Sequence, residues 1–93
     1  MFYGKAYNMV VNTLIALGAQ IGIRQIDLGD RVRVRYTGNE DHFSNQGRIG
    51  IVRDIVLTPE AMELNTVYLL NYIVEDRNGE LFDALRLRLD KLD

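Results

Sequence analysis

Cysteine is absent from this chain. Its absence excludes disulfides, thiol nucleophiles and thiolate metal sites together. It also fits a cytoplasmic setting, because small secreted domains commonly lean on disulfide staples. Histidine occurs once, as His42, so a histidine-based triad would have to be built on that residue. No Gly-x-Ser-x-Gly elbow, Gly-x-Gly-x-x-Gly turn or Walker loop occurs. Glu40-Asp41-His42 is the one cluster of metal-ligand types, and contiguous loop residues do not surround an ion unaided. The sequence therefore predicts no catalytic residue, no metal and no small-molecule cofactor, and a protein that is not an enzyme.

Proline also occurs once, as Pro59, and no low-complexity run interrupts the chain. Hydrophobic residues make up 47% and charged residues 26%, which are globular rather than disordered proportions. Ninety-three residues make one domain with one modest core. Positive charge is not in excess: 11 cations stand against 13 acids. The molecule as a whole is no electrostatic glove for nucleic acid, so a basic binding surface has to be local. Lysine is scarce, at Lys5 and Lys91, and the other nine cations are arginine. Arginine suits fixed, bidentate contacts to carboxylate or phosphate.

Charge is missing entirely from residues 6–23, AYNMVVNTLIALGAQIGI. A cleaved signal and a short membrane span are both weakened by Asn8 and Asn12, which sit where such a segment is most apolar. The same stretch carries a helical period. Tyr3, Tyr7, Val10, Leu14 and Leu17 step by four and three, with Phe2, Ala6, Met9 and Thr13 beside them. The spacing predicts a helix over residues 3–17, stopped by Gly18. Its wide apolar face implies burial on more than one side. Two coverings fit: the helix closes one end of the domain, or Tyr3, Tyr7, Val10 and Leu14 meet a partner protein or second subunit.

After Gly22 the period changes to two. Val32, Val34 and Tyr36 alternate with Arg31, Arg33 and Arg35, which predicts a half-buried strand. Residues 37–47 read as a loop. Residues 48–57 read as a second strand, and 57–64 as a loop with one helical turn in which Pro59 takes an early position. Residues 66–75, apolar on both faces, predict a strand covered on both sides. Asn78-Gly79 signals a tight hairpin, and residues 80–83 begin the return strand. In LRLRLDKLD, Leu85, Leu87 and Leu89 alternate with Arg86, Arg88 and Asp90. Several short strands joined by turns suggest a small barrel.

Residues 26–52 add a pattern to that outline. Hydrophobic-x-x-Gly29-Asp30-x-Val32-x-Val34 resembles the opening of a KOW motif, and Gly47-x-x-Gly50-x-Val52 resembles its end. The Asn-Gly hairpin and the leucine-rich last strand are similar to those of many SH3-like barrels, so the resemblance spans residues 26–92. It implies a mainly β fold, an SH3-like five-stranded small barrel behind an N-terminal α-helix. Helix 1–18 and barrel 19–93 then form a single domain. It also implies contact with RNA or protein.

Alternate residues on a strand stand roughly 6.6 Å apart, close to the step between phosphates on an extended single strand. In an SH3-like barrel the first strand commonly pairs with the last, which would bring Arg86 and Arg88 beside Arg31, Arg33 and Arg35. Five adjacent guanidiniums would call for a counter-anion, either phosphate or a partner's carboxylates. Phe43, with Arg48 and Arg53 nearby, would offer a stacking surface. The plainer alternative is a solvated face on which arginines pair with acids such as Asp54, Asp83 or Asp90. Two functions follow. One is binding of RNA or single-stranded nucleic acid through Arg31, Arg33 and Arg35 with Phe43, Arg48, Arg53, Arg86 and Arg88. The other is protein–protein interaction, including homo-oligomer formation through the helix. Neither involves a membrane.

Overall fold

The computed structural model describes residues 5–35 and 45–92, with side chains from residue 9 onward. Helix α1 spans Lys5–Gln20. Strands follow at Arg31–Val34 (β1) and Ile49–Val56 (β2). A short helix, Pro59–Leu64 (α2), comes next. Strands Asn71–Glu75 (β3), Leu81–Leu85 (β4) and Leu89–Leu92 (β5) complete the chain. Among the described residues these strands form one antiparallel sheet in the order β4-β3-β2-β1-β5. The two edge strands do not pair with each other, so the sheet is open. Its first and last strands do pair, with Arg33 opposite Asp90 and Val34 opposite Leu89.

The helix ends later than the sequence predicts. Gly22 has φ +91°, and the Ile23 amide donates to the Gly18 carbonyl while the Gly22 amide donates to that of Ala19. Those crossed bonds are a Schellman cap, with Gly22 as its left-handed residue. Gly18 lies inside the helix and has a different use. A Cβ there would stand 2.7 Å from Val67 Cγ1, so glycine lets α1 lie against the Val67–Leu69 3-10 turn. The buried helical row is Val11, Leu14, Ile15 and Gly18. Val10 and Leu17 lie off it, 38% and 42% exposed. Burial is therefore on one side, narrower than the apolar face predicts.

Alternation does hold through β1. Val32 and Val34 are fully buried while Arg31, Arg33 and Arg35 face outward. Thr58 caps α2 by accepting from the Ala61 amide and donating to the Leu69 carbonyl, with Pro59 in the first helical turn as expected. The predicted strand over 66–75 is strand only from Asn71. Its first half is the 3-10 turn, where the Thr66 hydroxyl accepts from the Tyr68 amide. The hairpin loop has three residues, Arg77 to Gly79. The Asp76 amide donates to the Glu80 carbonyl, and only Gly79 in that loop takes positive φ. That is a type I turn closed by a glycine bulge rather than a two-residue turn. The core joins both layers: Val11, Leu14 and Ile15 from the helix meet Leu70, Tyr72 and Val74 from the sheet side. The Tyr72 hydroxyl donates to the Ile26 carbonyl, which satisfies it in the interior.

Candidate functional site

The outward row of β1 is the natural place to begin. Arg31 stands opposite Ile51 on β2 and Leu92 on β5, and Arg33 opposite Ile49 and Asp90. Paired residues on neighbouring strands share a face. The outer sheet surface is thus an arginine row flanked by isoleucines, with Ile49 39% exposed. Arg31 also borders an open groove of about 950 Å³. Ile49, Gly50 and Ile51 line it from β2, and Arg53, Glu75 and Arg77 stand around it. At the other end of the row, Arg35 borders a second, smaller pocket. The row therefore runs from one concavity to the other.

Its members differ in what already holds them. Arg31 and Arg77 make no ion pair among the described residues. Arg33 faces Asp90 across the strand pair. Arg35 donates to Asp90 through both Nε and Nη2, at 3.2 and 2.7 Å. That bond holds the Asp90 carboxyl below the usual carboxylate range and pushes the Arg35 guanidinium up. Both partners are half-exposed, so the pair adds little stability and its arginine stays reachable. Arg53 pairs with Glu75 at 2.7 Å.

Arg48 is fully engaged. Its Nη2 donates to Asp76 at 2.7 Å and to Glu80 at 2.6 Å, and its guanidinium lies 4.3 Å above the Phe82 ring. The contact with Arg48, followed by the Glu80 amide, holds the Asp76 carboxyl low. Arg48 thereby ties the start of β2 to the β3–β4 hairpin.

Arg86 and Arg88 do not join the row as expected. A 3-10 turn over Arg86–Arg88 interrupts the alternation, so Leu92 and Asp90 take the places opposite Arg31 and Arg33. Arg86 turns inward and is 5% exposed, donating to the carbonyls of Leu89 and Arg24. Burial pulls its pKa down. Arg88 is half-buried, and its carbonyl accepts from the Arg35 amide. The structure thus brings together Arg31, Arg33, Arg35 and Arg53 with Ile49 and Ile51, and leaves the expected five-guanidinium cluster unassembled. Ile49, Ile51 and Arg77 belong to the surface although sequence reasoning passed over them. Their signal was the register, which no sequence period supplies.

The partner-binding reading of the helix meets Val10 at the surface and Leu14 in the core. Tyr3, Phe43, the side chain of Tyr7, Tyr36 and Glu40-Asp41-His42 lie outside the described residues. Among the described residues no group of three or more metal-ligating side chains comes together, and no helix is long and apolar enough to cross a membrane. No protein-family model matches the chain, and no curated protein matches it significantly.

Proposed function

We propose that the chain is a non-enzymatic binding module of the cytoplasm that holds a single-stranded nucleic acid, RNA above all, along β1. In this reading the open sheet curls as an SH3-like barrel, which the antiparallel pairing of first and last strands favours, and residues 26–52 serve as a KOW-like segment. The observation that carries the reading is the continuous outward row Arg31, Arg33 and Arg35, leading from the groove to the smaller pocket. Arginines at strand spacing follow a phosphate backbone, while Ile49 and Ile51 give the bases an apolar bed. The acidic net charge does not oppose it, because the acids nearest the row are neutralised locally by Arg35, Arg48 and Arg53.

Fluorescence anisotropy with labelled single-stranded RNA and DNA tests it. Affinity is expected to fall with salt, and Arg31→Gln with Arg33→Gln to flatten the log–log salt slope by about 0.7 per lost phosphate contact. No binding to any oligonucleotide at low salt would remove the reading.

A second reading is self-association through α1. Met9 and Leu17 are 73% and 42% exposed on a helix that carries no charge beyond Lys5, and Ile21, just past its end, is 78% exposed. A solvent-facing helix ordinarily carries charge on that side.

A further inference from the structure

The groove beside Arg31 marks a gap in the sheet. Across β1 and β2 the Val34 carbonyl accepts from the Gly47 amide, and the Val34 amide donates to the Arg48 carbonyl. Further along, the Val52 amide donates to the Asp30 carbonyl. Bonding alternates along an antiparallel pair, so the amide and carbonyl of Ile49, like those of Ile51, face away from β1. Ile51 meets Glu75 on β3, and that ladder goes no further. Among the described residues the Ile49 amide and carbonyl therefore have no ladder partner, and they open toward the groove that Ile49 lines. Glu75 lines the same groove. Arg53 balances its charge but binds only Oε1, at 2.7 Å. Its Oε2 leans toward the hairpin, 3.7 Å from where a Cβ on Gly79 would stand. A carboxylate offers about four lone pairs, so this one keeps most of its acceptor capacity. Arg77, on the hairpin side, makes no ion pair among the described residues.

We propose that this groove is a guanine-selective base subsite, in which the Ile49 amide donates to O6 and the Glu75 carboxylate accepts from N1–H and the N2 amino group. The inference rests on the reading that a single strand lies along β1, and it names the base which that strand places beside Arg31. The chemistry selects the base. A backbone donor next to a carboxylate complements an edge that runs acceptor, donor, donor, and guanine's Watson–Crick edge has that order. Adenine and cytosine set a ring-nitrogen lone pair beside their amino group, and uracil sets its one N–H between two carbonyls. Each of the three would turn a lone pair toward Glu75, and a bond left unmade at a polar contact is what discriminates. The groove, about 950 Å³ in volume, admits a purine. Ile49 and Ile51 give it an apolar side, and the planar guanidinium of Arg77 is a surface on which an unpaired base stacks.

Fluorescence anisotropy with the full chain tests it, using short labelled oligouridines that carry one central guanosine, adenosine or cytidine, or none. The guanosine strand is expected to bind about tenfold tighter than the all-uridine strand, the effect of one bidentate base contact. Inosine in the same place keeps O6 and N1–H but lacks the amino group, so most of that preference should vanish. Glu75→Gln should also erase it, because a carboxamide oxygen cannot accept from both donors in the carboxylate's place. That variant removes a negative charge and so tightens every strand alike. The ratio of guanosine to uridine affinities is unmoved by such a general change, and it is therefore the quantity read. Arg31→Gln with Arg33→Gln should weaken all strands while leaving the ratio above one. Equal affinity for all four strands, or a guanosine preference that survives both inosine and Glu75→Gln, overturns the subsite and leaves strand binding standing. No binding of any strand at low salt removes the strand reading and the subsite with it.

Discussion

A methyl group on Gly50 would stand 2.5 Å from the Glu75 carbonyl oxygen and 2.6 Å from Val74 Cγ1. The first of these is backbone of the paired strand β3, and it cannot swing aside as a side-chain end could. Gly50→Ala should therefore force β2 and β3 apart and destabilise the fold by about 1–3 kcal/mol or more, read as a lowered urea midpoint with unchanged m-value. An unchanged midpoint would mean that the strands do not approach this closely. Gly47 serves differently: its φ of +79° closes the turn that leads into β2. The two glycines that end the KOW-like pattern are thus explained by backbone geometry alone. Arginine shows the limit of reading residues singly. Arg33, Arg48 and Arg86 look alike in the sequence. One faces outward, one clamps a hairpin, and one is buried against carbonyls. Residue type sets what each can bond, while burial and neighbours decide which bonds form.

Elements were legible where one period ran without competition. The alternation of β1, the proline-led turn of α2 and the Asn-Gly hairpin all lie where their local chemistry puts them. The failures came where two local rules competed. Residues 66–70 are apolar enough for a strand, but the Thr66 hydroxyl binds the Tyr68 amide and turns the chain first. In LRLRLDKLD the period of two is broken by a 3-10 turn that puts Arg86 inside and leaves Leu87 39% exposed. The candidate row was legible as a strand face; its neighbours Ile49, Ile51 and Asp90 depend on register, which distant pairing fixes. The helix leads to a test of its own. Leu17 and Ile21, 42% and 78% exposed, lie beyond the buried row and present no charge to a second copy. Two such faces can meet without like-charge opposition, as a two-fold interface requires. Light scattering over a concentration series should show the mass rising toward that of a dimer, and Leu17→Glu with Ile21→Glu should hold it at monomer. A monomeric mass across the series in wild type would end the self-association reading.

Across the whole molecule, different groups set the acid and alkaline limits of stability. Asp76 and Asp90 are held below their ordinary range, first by hydrogen bonds from Arg48 and Arg35 respectively. A depressed carboxyl stabilises the fold fully above its unfolded pKa, about 3.9, and loses that contribution as pH falls through the folded value. Tyr72 is displaced upward by burial. Below its unfolded pKa, about 10, the phenol is neutral in both states and its contribution is complete. Above that, the unfolded chain gives up a proton that the buried phenol keeps, so stability declines as pH rises through the folded value. The chain should thus show a broad stability plateau with separate causes at its edges, measurable by urea unfolding from pH 2 to 11. Asp76→Asn should lower the plateau yet converge with wild type in acid, because wild type then loses the same bonds. Tyr72→Phe leaves the Ile26 carbonyl without its donor, which costs about 1–3 kcal/mol on the plateau, and it should flatten the alkaline limb. Parallel acid limbs in wild type and Asp76→Asn would show that the Arg48 bridge is not what holds the hairpin.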